Sequence, residues 1–504
     1  MVRDGLLSRY AVRLLGGAIA LPLNIVIQAI GNRYIGPAGV GVFSYSVGVF
    51  TDILAFVDSG LGVAYYRKLC AEPANKAWVV FFSRLVIALI FVFIASLVLF
   101  ETLGWGHRLW RGIPLNYVSL GAAVALLTWL VSLVGKASDA HGLTRKTEIS
   151  RVVVRVVLLG FMLGVATLSG MTLHYFFVLH LAALVVLLLV WIVQVERAGL
   201  PFFRLAPLAA EEARRERVDL QKFVFPLFAY SAVGMAGGLL DRWLLLSSAG
   251  ETQQGFYAVG LQLGALCFVF TSALTQLLVG EYTRAVAQGD LERLRRLFQD
   301  SVGSLYVVAS FLGMFCAANV TAVLAISGGD KLRGAETAVA ILCLYPLHQT
   351  YGQLSGSLFL AAGESQRYSR IGISTTLIGM IVSGVLVAKS ALGLGAVGLA
   401  AKMVAVQLLL VNIQLFLNAR SLGLSFLSLV RQQCYVAGVF ALAAFATSWV
   451  AAQAVGSGRL ALTLSALLYA PLGFWCVWQL NLAGLRAPLR AGLQQLGLSA
   501  RVRP

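Results

Sequence analysis

Of 504 residues, 59% are hydrophobic and 12% charged, with a net charge of +18. Adding the 51 glycines brings the apolar share to about 69%, against about 45–50% apolar and about 25% charged in soluble domains. So little polar residue excludes a string of soluble domains, a disordered chain, a disulfide scaffold and a nucleic-acid binder. What remains is an all-α polytopic membrane protein.

Apolar runs of about 20 residues separated by short polar loops predict about 14 transmembrane helices. They cover 11–31, 38–60, 78–100, 117–138, 150–170, 173–195, 223–247, 255–279, 302–325, 337–361, 370–389, 396–418, 433–453 and 460–481. Arg3, Arg9 and Arg13 precede the first run as they would in a signal peptide. No A-x-A site follows, and Pro22, Asn24 and Gln28 interrupt the apolar stretch, so a retained helix is expected. Between the third and fourth runs, Glu101 to Asn116 has room for a turn or an amphipathic stub, but for no domain.

With the N-terminus placed inside, about 30 of the 39 Lys and Arg fall on the cytoplasmic side and about 7 outside. That bias sets the orientation. An even helix count then leaves both termini in the cytoplasm. The basic balance is thus a topology signal, strengthened by anionic lipid at the inner leaflet, and implies no nucleic-acid partner.

The longest internal loop, 196–222, carries prolines and the EEARRER run and reads as a cytoplasmic linker. On either side lie an N-lobe of six helices (1–195) and a C-lobe of six (223–418), followed by a C-terminal helix pair and tail (419–504). A parallel repeat supports this division. Gly41-Val42-Phe43-Ser44-Tyr45 and Gly255-Phe256-Tyr257 open the second and eighth spans, 214 residues apart. His141-Gly142-Leu143 and Ala362-Gly363-Glu364 follow the fourth and tenth, with the glycines 221 apart. The expected architecture is two pseudo-symmetric six-helix lobes plus a helix pair.

The six cysteines show no CxxC spacing, and the five histidines show no ligand pairing, so neither metal nor cofactor is expected. No Walker A sequence occurs. A membrane enzyme of glycan assembly would call for a catalytic loop or a His/Glu/Asp cluster at one face, and neither is visible, so the chain does not read as an enzyme.

Ionisable residues inside apolar spans are candidate functional groups, because burying each costs about 2.5–3.5 kcal/mol on insertion scales. Arg33, Asp52, Asp241, Arg242 and Lys402 qualify. Asp58, Lys136 and Asp139 lie close enough to the inner interface to reach it.

Arg13-Leu14-Leu15-Gly16, Arg33-Tyr34-Ile35-Gly36-Pro37-Ala38-Gly39-Val40-Gly41, Asp241-Arg242-Trp243 with Gly255-Phe256-Tyr257, and the Gly142 and Gly363 loops give the chain its family likeness. It resembles the polysaccharide-transporter branch of the multidrug/oligosaccharidyl-lipid/polysaccharide exporter superfamily, whose members flip lipid-linked oligosaccharides. The resemblance implies two lobes around a central cavity, alternating access in a bacterial inner membrane, and an undecaprenyl-diphosphate-linked glycan as cargo. The glycan would serve O-antigen, capsule or exopolysaccharide assembly, with polysaccharide polymerase and chain-length machinery as partners. A drug antiporter of the same superfamily is the alternative; the first span lacks the acidic residue of the proton-coupled multidrug extruders. For such a cargo, arginines suit the diphosphate. Asn24, Gln28, Tyr45, Gln262 and Gln276 are the candidates to meet sugar. Asp241, paired with Arg33 or Arg242, is the expected outer gate.

Overall fold

In hydrocarbon every backbone amide must be bonded within the protein, so apolar runs of this length close as helices. The computed structural model describes residues 6–58, 60–72, 75–110, 112–198, 206–265, 281–282, 284–286, 288–456 and 458–481. They form α1 (Leu6–Asp58), α2 (Leu61–Ala71), α3 (Lys76–Thr102), α4 (Gly106–Trp110), α5 (Leu115–Ala140), α6 (Thr144–Leu168), α7 (Leu173–Arg197) and α8 (Ala210–Ala265). There follow α9 (Leu291–Ala318), α10 (Val320–Ser327), α11 (Glu336–Leu342), α12 (Tyr345–Ala361), α13 (Ser365–Val387), α14 (Gly395–Ser421), α15 (Phe426–Val455) and α16 (Arg459–Gln479). No strand occurs among the described residues.

Ten helices among the described residues are long and apolar enough to cross a membrane. Thirteen of the fourteen expected spans, and the described start of the eighth, fall on helix. The difference from ten arises because α1 carries two of them as one helix, because α8, which holds the seventh and the start of the eighth, is not among the ten, and because 337–361 is divided between α11 and α12. The eighth span runs past Ala265 and so lies partly outside the described residues. The stub expected within 101–116 is α4, and α2 is a short helix that the sequence did not single out. Part of the expected linker is helical as well: from Ala210 it continues without a loop into the seventh span.

The chain divides into two compact units, one of Met1–Ala258 with Thr376–Gly395, the other of Val259–Thr375 with Ala396–Pro504. In the first, α1 packs on α5 and α6, and α5 on α7. Its core is rich in rings, with Tyr65 stacked on Phe82 at 4.0 Å and Phe50 edge-on to Phe93. In the second, α9 packs on α12 and α15, and α15 on α16. Tyr469 there stacks on Phe311 at 4.6 Å and donates its hydroxyl to the Phe311 carbonyl at 2.9 Å. Large apolar side chains such as Phe91, Leu442 and Trp449 are exposed, as a hydrocarbon solvent permits.

Where loops were expected between the first two spans and between the seventh and eighth, the helix breaks at a single residue. Gly36 has φ 72° and ψ 177°, and Gly250 has φ 83° and ψ −178°. Only glycine enters that region without large strain, and Pro37 adds its own bias against a helical Gly36. The two breaks are 214 residues apart, the offset of the Gly41 and Gly255 pair. Gly142 and Gly363 match as well, at φ 78° and 77°.

The backbones that follow the breaks meet. A Cβ on Gly41 would lie 1.9 Å from the Glu251 carbonyl oxygen, and one on Gly255 would lie 1.9 Å from that of Pro37. Pro37 and Glu251 are themselves repeat equivalents, so the contact is reciprocal. Gly41→Ala and Gly255→Ala should therefore each destabilise the protein by more than the about 1–3 kcal/mol usual for overpacking, since the obstacle is backbone. Gly160→Ala, with nothing within 4 Å of the added Cβ, should be neutral or stabilising. Melting temperatures of the three purified variants check this; equal behaviour of all three would refute it.

Candidate functional site

The contact between α1 and α8 continues from the glycine crossing toward the interior of both helices. They run antiparallel, so positions rise along α1 as they fall along α8. Seven residues beyond Gly41, a Cβ on Gly48 would lie 2.2 Å from Nη1 of Arg242. One turn further, Asp52 faces Gly238, where a Cβ would lie 2.9 Å from Oδ2. Each helix thus offers a glycine four residues from its charged group, opposite the other helix's charge. Into that space Arg242 donates Nε–H to Asp52 Oδ2 at 2.8 Å. The two side chains are 21% and 25% exposed, so the pair is largely withdrawn from solvent while retaining an open side.

Asp241 accepts a hydrogen bond from the buried Ser383 hydroxyl of α13 at 2.5 Å. The carboxylate that holds the Arg242 guanidinium is that of Asp52, five spans back in the sequence. Arg33 is exposed near the Gly36 break. Lys402, on α14 of the second unit, is buried at 8% exposure. Tyr45 is fully buried and donates its hydroxyl to the Leu109 carbonyl at 2.8 Å, which ties α1 to α4. Asn24 is exposed, Gln28 and Gln262 are half-buried, and Gln276 lies outside the described residues.

The 214-residue offset gives the charged pair an uncharged counterpart. It relates Arg242 to Gln28, Gly238 to Asn24, Gly48 to Gln262 and Asp52 to Leu266. The repeat thus conserves the glycine crossing and not the ion pair.

Three polar groups near the interface have structural partners. Asp58 accepts from Gly62 N at 3.1 Å and Trp129 Nε1 at 3.2 Å, and pairs with Lys136 at 3.4 Å. Asp139 accepts from the Thr144 hydroxyl at 2.9 Å. His141, between α5 and α6, has its pKa lowered by burial. Two buried carboxylates escaped the sequence reading, because both sat in segments taken as loop. Glu148 on α6 pairs with Arg151 at 2.9 Å, and Arg151 in turn lies over the Trp191 ring. Glu216 on the first turns of α8 pairs with Lys68 of α2, whose ammonium sits 4.9 Å from the Trp78 ring. Burial pulls the Lys68 pKa down, but Glu216 and then Asp219 outweigh it and leave the pKa raised. Glu216 and the buried Leu220 share one helix face, a periodicity that could have revealed the docking.

No family model matches the sequence, and no curated protein does. Solved structures do match. An inward-closed structure of the lipid II flippase MurJ aligns with TM-score 0.69 at 9% identity, over 94% of this chain and all of that one. An inward-facing MATE multidrug resistance transporter of the MOP superfamily gives 0.62 at 14% identity, over 82% of this chain and 98% of its own. A MOP-superfamily transporter from Pyrococcus furiosus gives 0.58 at 13%, over 82% and 94%. The chain has the MOP transporter fold. It is a multi-pass membrane protein, and the fold that the motif resemblance implies agrees with the fold of these structures.

Within this MOP-type fold, removing one member of the Asp52–Arg242 pair strands the other. Asp52→Asn and Arg242→Gln should each destabilise the protein by about 1–3 kcal/mol, below the full buried-pair cost because of the remaining exposure. The double variant should recover most of the loss, because no uncompensated charge remains. Thermal melts of the four proteins in detergent measure the coupling, and strict additivity would show that the pair is not coupled.

Proposed function

We propose that the protein is a flippase carrying an undecaprenyl-diphosphate-linked oligosaccharide repeat unit across the bacterial inner membrane by alternating access, for assembly of a surface polysaccharide. The observation that carries the reading is the Asp52–Arg242 pair, seated between glycines within apolar helix and open on one side. An arginine so held is charged, oriented and exchangeable: a diphosphate offers it a stronger, bidentate partner than one carboxylate oxygen. The likeness to a lipid II flippase adds support from the fold.

In this reading Arg242 meets the diphosphate and Asp52 holds it when the cargo is absent. The uncharged equivalents on the other side of the repeat, Asn24 and Gln28, meet sugar. Arg33, at the outer end of the first span, and separately Lys402 and Gln262 are further candidates to meet cargo. Both termini and the 196–222 segment lie in the cytoplasm, with lobes at 1–195 and 223–418 and the helix pair beyond. Cargo binding shifts the conformational balance only if its contacts differ between states, and exchange of Asp52 for phosphate supplies that difference.

Deleting the protein in its host should abolish surface glycan while lipid-linked precursor accumulates at the inner leaflet. Normal surface glycan with altered drug sensitivity would favour the antiporter instead. Arg242→Gln should lower export at least about tenfold at normal membrane abundance, equal to about 1.4 kcal/mol of lost cargo interaction. Unchanged export in that variant would remove Arg242 from the site. Cysteines placed at residues 206 and 212 should react with impermeant reagent only in inside-out vesicles; labelling in intact cells would reverse the topology.

A further inference from the structure

Where α8 begins, it leaves an apolar groove against α3. The cavity measures about 560 Å³, inside the range of about 300–1,000 Å³ typical of small-ligand sites. Leu85 and Ala88 on one side and Leu220 and Phe228 on the other form its walls, and Arg84 and Arg217 stand among them. Phe225, also on the groove, is 81% exposed, as suits a side chain bathed in acyl chains rather than water.

The sequence places the two arginines at a boundary. Arg84 heads the charge-free run Leu85–Phe100, and Arg217 lies six residues ahead of the run Phe223–Leu240. Both guanidinium groups are exposed. Arg84 spends one N–H on the Ala206 carbonyl, at 2.7 Å, and Arg217 forms no ion pair among the described residues. Three acids of the same helix are engaged elsewhere. Glu216 is bonded by Lys68, Asp219 lies 3.4 Å from the same ammonium, and Glu211 accepts from Arg215 at 3.3 Å.

We infer that this groove binds one anionic phospholipid, its acyl chain along Leu85, Ala88 and Phe228 and its phosphate between Arg84 and Arg217. Two forked cations suit a phosphodiester. With Glu211 and Glu216 already paired, the two arginines leave the mouth positive, which favours an anionic headgroup over a zwitterionic one. The groove is built within one unit and is separate from the Asp52–Arg242 pair. The site therefore stands or falls independently of the transport reading.

The test uses the purified full-length protein in neutral detergent, with its melting temperature followed as phosphatidylglycerol, phosphatidylcholine or inorganic phosphate is added. Phosphatidylglycerol should raise the melting temperature, and the other two should leave it unchanged. The Arg84→Gln/Arg217→Gln double variant should lose the shift. So should Ala88→Phe, which fills the groove and keeps both arginines. Each is compared with its own lipid-free melt, so a change in basal stability does not obscure the result. An equal shift from phosphatidylcholine, a shift from phosphate alone, or a shift retained in both variants overturns the inference.

Discussion

The structure depends on two backbones being able to approach where α1 meets α8. Gly41 against the Glu251 carbonyl and Gly255 against that of Pro37 leave no room for even a methyl group. Membrane helices gain little from hydrophobic burial against each other, so close packing through small residues is what fixes their association. Once that crossing is set, the antiparallel register follows. It brings Gly48 to Arg242 and Gly238 to Asp52. The charged pair is therefore a consequence of the packing, placed by glycines that lie seven residues or more away from it.

The energetics of the pair explain why it is only half enclosed. Full burial of two ions costs more than their attraction returns unless every lone pair and proton is satisfied. Full exposure would make it an ordinary surface bridge of small value. At 21% and 25% exposure it is held firmly enough to orient the guanidinium and loosely enough to be exchanged. Tyr45, by contrast, is fully enclosed, and its hydrogen bond to the Leu109 carbonyl ties α1 to α4.

Much of this was legible in the residues. Apolar run length located the spans, and the repeat was visible in two pairs of glycine-containing motifs. The charge candidates Asp52 and Arg242 stood out because hydrocarbon makes ionisable groups rare. Their mutual pairing was not legible. Periodicity places a residue on a helix face but does not say which distant helix lies opposite, so Asp241, adjacent in sequence to Arg242 and outward in depth, appeared the natural partner. Single-residue breaks were also hidden: Gly36-Pro37 reads as a loop, and only the backbone angles show helix on both sides. Glu148 and Glu216 were missed for a related reason, since a charged stretch beside a span looks solvated until its buried face finds a cation.

The reciprocal contact at Gly41 and Gly255 bears on ancestry. One patch touching its own equivalent is the mark of an isologous interface, the kind formed by two identical subunits about a dyad. Before duplication and fusion, a single ancestral chain could have made this contact with a second copy of itself, each presenting the same glycine to the other's carbonyl. Such a homodimer would have carried identical linings on both sides of its dyad. Fusion removed that obligation. Gln28 and Arg242 now occupy one ancestral position with different chemistry, and only after fusion could a charge be acquired on one side without appearing on both.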